Sequence, residues 1–155
     1  CIPAIKPVAE SNRVMYVSGF GYRIHPIYKT RKMHTGCDWS APQGTRVYAT
    51  GDGRVAVAEF DRGYGKHVVI NHGFNYQTLY GHLSVISVRV GQKIKRGDLL
   101  GLTGNTGLST GPHIHYEVIK GNTKVDPINY YLNDLTPSQY RDMINISSRP
   151  NQSFD

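Results

Sequence analysis

The histidines are the residues of this chain best suited to chemistry. There are seven in 155 residues, and four stand in segments whose composition suggests a shared site. The first segment is His34-Thr35-Gly36-Cys37-Asp38. Imidazole and carboxylate are both good zinc donors, and Gly36 is expected to let the backbone bend so that both face one ion. Taken alone, that spacing is common by chance. The second segment runs Gly111-Pro112-His113-Ile114-His115-Tyr116-Glu117-Val118. Read as a strand, it projects His113 and His115 from one face, while Ile114, Tyr116 and Val118 pack into a core on the other. Two imidazoles on one face suit a site in which one binds a metal and the other meets a water beside it; two solvated surface histidines are the plain alternative. Glu117 shares the histidine face. A solvated strand-edge carboxylate is expected there, with support of a neighbouring ligand as the alternative. The third segment is Leu79-Tyr80-Gly81-His82-Leu83-Ser84. Its histidine ends a strand candidate, where a rigid scaffold can aim it into a groove.

These side chains need a scaffold, and the chain supplies strands. From Tyr16 to about Val125, short apolar runs are separated by Gly-containing turns, at 45–49, 53–60, 66–71, 77–82, 85–90 and 111–119. Arg54-Val55-Ala56-Val57-Ala58 alternates, and Asp52-Gly53 and Asn71-His72-Gly73 mark turns. Regular short strands with this punctuation indicate an all-β fold, an antiparallel sandwich or barrel-like core with a groove. The tail differs. Asp126-Pro127 and Thr136-Pro137 each place a capping side chain before a proline suited to a first helical position. Tyr140, Met143 and Ile144 then recur at helical spacing, so a short helix closes the chain. The expected organisation is a lead-in segment at 1–15, one domain at 16–132, and a helix and tail at 133–155.

Composition narrows the partners. Eighteen basic and eleven acidic residues leave a net charge of +7, which attracts polyanions. The basic residues are scattered (Lys29, Arg31, Lys32, then Lys93, Lys95, Arg96) without an arginine-rich tract, so nucleic-acid binding rests on charge alone. Cys1 and Cys37 form no Cys-x-x-Cys pair and no disulfide framework. No apolar run approaches the ~18 residues of a membrane span. An N-terminal cysteine is compatible with lipid attachment, and so with a membrane anchor in a longer protein, but equally with a cut chain end.

Taken together and in order, the three histidine segments resemble the lysostaphin/LytM-type zinc metallopeptidases, whose pattern is His-x-x-x-Asp, then Tyr-x-His-Leu, then His-x-His. The surroundings match as well: Gly19-Phe20-Gly21-Tyr22-Arg23-Ile24-His25-Pro26, Ala41-Pro42-Gln43-Gly44-Thr45, and Thr103-Gly104-Asn105-Thr106-Gly107 leading to Ser109-Thr110-Gly111-Pro112. The likeness covers about Ser18 to Tyr131. It implies one Zn2+ per chain held by His34, Asp38 and His115, with His82 and His113 facing the water that attacks. It implies peptidoglycan peptide stems or cross-links as substrate, in the cell envelope, either periplasmic or extracellular. Cross-links between D-amino acids are expected over glycine bridges, although both kinds of enzyme share these motifs. Cys37 departs from the family, which usually has an aliphatic or aromatic residue there; a small buried hydrophobe is the expectation.

The chemistry of that set is consistent. Three protein ligands leave a fourth position open, as in catalytic zinc sites. One carboxylate and two neutral imidazoles leave the ion a net +1. His113 is expected to take the proton and return it to the leaving amine, with His82 orienting the water or stabilising the oxyanion; the two roles are exchangeable at this level. Tyr28 is expected to be a surface aromatic, with a hydroxyl reaching the oxyanion as the alternative, and Arg23 either pairs with a substrate carboxylate or braces the fold. His25, His67 and His72 are assigned to structure, His72 in a turn. A catalytically inactive module that binds wall or activates another wall hydrolase is the second reading, although such a module would be expected to lack a ligand. A carrier of the biotinyl or lipoyl type would leave the histidines unexplained.

Overall fold

A computed structural model describes residues 5–9, 11–24, 31–130 and 137–148. The strands among them are β1 (Met15–Ser18), β2 (Gly21–Ile24), β3 (Arg31–His34), β4 (Cys37–Ser40), β5 (Arg46–Tyr48), β6 (Gly53–Asp61), β7 (Gly65–Gly73), β8 (Tyr76–Ile86), β9 (Lys93–Ile94), β10 (Leu99–Thr103), β11 (His113–Lys120) and β12 (Thr123–Val125). A 3-10 turn at Pro127–Tyr130 and a helix, α1 (Pro137–Ser148), follow. The main sheet runs β1-β4-β11-β8-β7-β6-β9, with β12 beside β11 and β10 between β5 and β8. β2 and β3 form a separate pair. Every pairing among the described strands is antiparallel. The all-β reading of the sequence is borne out.

The pattern of side chains explains where the core sits. Ile114, Tyr116 and Val118 on β11 point to the same side and are fully buried with Val68, Ile70, Tyr80, Leu83 and Leu100. Each such burial is worth roughly 1.5–3 kcal/mol. β7 carries Val68-Val69-Ile70, buried on both faces, so it reads as a continuous apolar run. Tyr80 and Tyr116 bring hydroxyls into this core, where both meet Thr50 Oγ1, at 3.0 Å and 2.8 Å. Tyr48 N–H donates to the Pro7 carbonyl, and Val8 is buried in a bridge to Val47, so residues ahead of β1 pack onto β5.

Three local expectations differ from the structure. The runs at 77–82 and 85–90 are not two strands. β8 continues from Tyr76 to Ile86, with His82 at φ 60° and register shifts beside it against both β7 and β10. A left-handed residue inside a ladder turns one side chain without ending the strand. His72 lies in β7, not in a turn, and is buried: its Nδ1–H donates to the Asp52 carbonyl (2.7 Å), and Nε2 meets Thr78 Oγ1 (2.7 Å). In the tail, Asp126 Oδ1 accepts the Ile128 N–H, capping the 3-10 turn. On α1, Ile146 packs against the core while Ile144 is exposed. The side chains of Tyr140 and Met143, and residue Thr136, lie outside the described residues.

Burial pushes the His72 pKa below its usual value, opposed by the bond to Asp52. The unfolded chain therefore takes up this proton first, near pH 6.5. The stability contributed by neutral His72 is complete above that pH and is lost as pH falls through the lower folded value. Urea midpoints measured from pH 7.5 down to 5 should drop less steeply for His72→Gln than for the parent.

Candidate metal centre

β11 and β4 set the centre. Their register places His115 directly opposite Asp38, and opposed residues on one sheet face have Cβ atoms about 4.5–5.5 Å apart. His115 Nδ1 lies 3.0 Å from Asp38 Oδ1. His34 arrives from the end of β3 through the two-residue link Thr35-Gly36, and its Nε2 lies 3.3 Å from the same oxygen. Gly36 makes this link possible, but not through left-handed backbone: a Cβ there would fall on the Tyr116 carbonyl oxygen. The residue is small because β11 passes directly beneath it. All three donor atoms lie within 4.8 Å of one another, and all three residues are buried.

Proton positions show what the cluster is suited to hold. His34 Nδ1–H donates to the Gly19 carbonyl (2.7 Å), and His115 Nε2–H donates to Glu117 Oε2 (2.9 Å). In the neutral rings, the nitrogens turned toward Asp38 therefore carry lone pairs. Two lone pairs facing a fully buried carboxylate oxygen repel it, and a cation among them satisfies all three. Donors held about 2.0–2.1 Å from a tetrahedral ion lie roughly 3.3–3.4 Å apart. The 3.0 and 3.3 Å separations match that spacing, so the residues fit zinc.

His82 and His113 flank the cluster, with ring centroids 4.7 Å apart. His113 Nε2 is 3.8 Å from Asp38 Oδ1, and the His82 ring centroid is 6.0 Å from that of His115. Both are buried. His113 Nδ1–H donates to the Gly111 carbonyl and His82 Nδ1–H to the Thr106 carbonyl, each at 2.7 Å. Both acceptors belong to the glycine-rich loop between β10 and β11, which packs on β7 and β8: Lys66 N–H donates to Thr106 Oγ1, and Thr106 Oγ1 donates to the Leu83 carbonyl. Gly107, at φ 76°, permits this approach, because a Cβ there would strike the backbone at Gly65.

A cleft of about 220 Å³ opens onto the centre, lined among others by His34, His82, His115, Thr35, Tyr64 and Lys124. The structure corrects the expectation for Glu117. It is fully buried, accepting from Thr35 Oγ1 (2.5 Å), Tyr64 OH (2.7 Å) and His115, with Lys124 Nζ 3.3 Å from its other oxygen. Burial alone would raise its pKa; the hydrogen bond from neutral His115, that from Thr35 and the charge of Lys124 oppose this and hold the carboxyl below its usual value. The period-two spacing of His113, His115 and Glu117 carried this signal. Tyr64 and Lys124, from a turn and from β12, had none. Cys37 is fully buried in the apolar core. His67 is buried, with Nδ1 2.9 Å from the Gly65 carbonyl. His25 and Tyr28, and the side chain of Arg23, lie outside the described residues.

The chain is similar to known proteins. The description of peptidase family M23 matches residues 32–127, more than half of the chain. The chain belongs to peptidase family M23. The motif likeness to lysostaphin/LytM-type enzymes is thereby borne out. Among relatives, the DD-carboxypeptidase/endopeptidase Mpg of Neisseria meningitidis is 45% identical over 115 residues, 74% of this chain and 26% of that protein. The peptidoglycan DD-endopeptidase ShyA of Vibrio cholerae is 50% identical over 97 residues, 63% of this chain and 23% of that protein. The crystal structure of a zinc-containing peptidase from Vibrio cholerae aligns with a TM-score of 0.73 at 40% identity, over 81% of this chain and 39% of that one. The chain thus spans about a quarter of the length of these curated M23 relatives.

Gly36→Ala tests the close passage of β11 beneath the first ligand pair. Forcing a methyl against the Tyr116 carbonyl should cost about 1–3 kcal/mol in urea unfolding and weaken zinc retention during dialysis.

Proposed function

We propose that this M23 chain is a zinc-dependent endopeptidase that hydrolyses peptide cross-links of bacterial peptidoglycan in the cell envelope. One Zn2+ per chain is held by His34 Nε2, Asp38 Oδ1 and His115 Nδ1. The observation that carries the reading is the convergence of two lone-pair imidazole nitrogens on one buried carboxylate oxygen, 3.0 and 3.3 Å away. Similarity to proteins named DD-endopeptidases favours bonds between D-amino acids over glycine bridges. Among the described residues no helix is long and apolar enough to cross a membrane.

Bound zinc would supply Lewis acidity, lowering the pKa of a water and polarising the scissile carbonyl. The chain's own groups do the rest. His113 and His82 each give Nδ1–H to a backbone carbonyl, which leaves Nε2 as the basic nitrogen of both neutral rings. His113 accepts the proton of the attacking water at Nε2 and passes it to the leaving amine. His82, at the cleft wall, orients the water or hydrogen-bonds the developing oxyanion. The cleft seats the peptide against these groups.

The test is metal content beside cleavage of purified peptidoglycan, with new ends identified by mass spectrometry. His34→Ala, Asp38→Ala and His115→Ala should lose both zinc and hydrolysis. His82→Ala and His113→Ala should keep zinc and lose roughly 10²–10⁴-fold in turnover, the usual worth of a positioned acid–base group. Full activity after exhaustive chelation, or from His113→Ala, would sink the reading.

A further inference from the structure

We infer that Glu117 is a positioning residue for the metal site: it takes the Nε2 proton of His115 and so holds this imidazole with Nδ1 toward the ion, while Thr35, Tyr64 and Lys124 hold Glu117. The inference rests on the proposed zinc site and goes beyond its ligands and the two assisting histidines.

The geometry behind it is specific. His115 is the one proposed ligand whose second nitrogen meets a side-chain carboxylate, since His34 meets the Gly19 carbonyl. A carbonyl oxygen is neutral; a carboxylate accepts the same proton more strongly and raises the basicity of the opposite nitrogen. A buried carboxylate is costly unless paired and hydrogen-bonded, and Glu117 is fully buried. Its Oε2 collects three donors, Thr35 Oγ1, Tyr64 OH and His115 Nε2. Lys124 Nζ lies 3.3 Å from Oε1 and donates to Tyr64 OH at 2.6 Å. Position 124 is fixed by β12, where Lys124 pairs with Ile119 and so lies diagonally across from Glu117.

The charges also balance. Zinc with Asp38 carries +1. An uncompensated Glu117 would cancel that excess, and Lys124 restores it. The site thus gains a strong acceptor for His115 without losing the positive charge that polarises a carbonyl. Thr35 directly follows His34 in the chain, so a single carboxylate ties both histidine ligands' segments together.

Two measurements on the zinc-loaded full chain test this. Competition with a chromophoric chelator should show Glu117→Gln, which keeps the shape and loses the charge, binding zinc about 10–100-fold more weakly. Long-range 1H–15N correlation spectra of the parent protein should place the His115 proton on Nε2 and the metal on Nδ1, whatever the variant's folding. A zinc affinity of Glu117→Gln within twofold of the parent, or ligation of His115 through Nε2, overturns the role of Glu117. A parent chain that binds no zinc fails the proposed function instead, so the two failures are distinguishable.

Discussion

The rest of the site is organised around a carboxylate with no access to water. Asp38 is fully buried at the join of β4 and β11, and three imidazole nitrogens stand 3.0, 3.3 and 3.8 Å from one of its oxygens. Removing such a charge from water is expensive unless a positive partner takes water's place. Imidazoles with their protons committed elsewhere cannot be that partner. The cluster is one that could hold a cation, and the surrounding backbone and side chains hold the outer protons of the imidazoles away from it.

That service falls to acceptors of different kinds. Backbone carbonyls at Gly19, Thr106 and Gly111 take the Nδ1 protons of His34, His82 and His113. A side-chain carboxylate, Glu117, takes the Nε2 proton of His115. Two of the carbonyls come from one glycine-rich loop, which lies close to the β7–β8 backbone because glycines stand at 65, 104 and 107. Its carbonyls leave Nε2 as the basic nitrogen of the neutral His82 and His113 rings. His82 adds a local expense. A non-glycine residue in the left-handed region costs about 1–2 kcal/mol, and at φ 60° His82 accepts it within a long central strand. The hydrogen bonds on either side, His82 N–H to the Tyr64 carbonyl and Nδ1–H to Thr106, keep it there.

The aromatic residues divide along the same line. Tyr80 and Tyr116 have hydroxyls deep in the core around Thr50, and burial raises the pKa of both. They brace β8 and β11 from behind, on the side away from the histidines. Tyr64 stands in front, at the cleft, with its hydroxyl between Glu117 and Lys124.

Periodicity and motif order determined a good deal without coordinates. Alternation along 113–118 separates His113, His115 and Glu117 from Ile114, Tyr116 and Val118, because a strand's two faces are a property of local geometry. The order of the three histidine segments pointed to the family for the same reason: each is short and contiguous. Other features lay beyond such reasoning. The turn at His82 came from hydrogen bonds to residues far along the chain, so β8 looked like two runs. His72 looked like part of a turn because Asn71-His72-Gly73 has turn composition, yet β7 extends through it. Gly36 was expected to supply flexibility and instead supplies room. Glu117 looked solvated because nothing in its neighbourhood announces Tyr64 and Lys124, which reach it over 53 residues and from the adjoining strand. Which residues can bind a metal is a matter of side-chain type, and that is written locally. Which nitrogen of each imidazole is available depends on the acceptor facing the other nitrogen, and only the packed structure brings those acceptors into place.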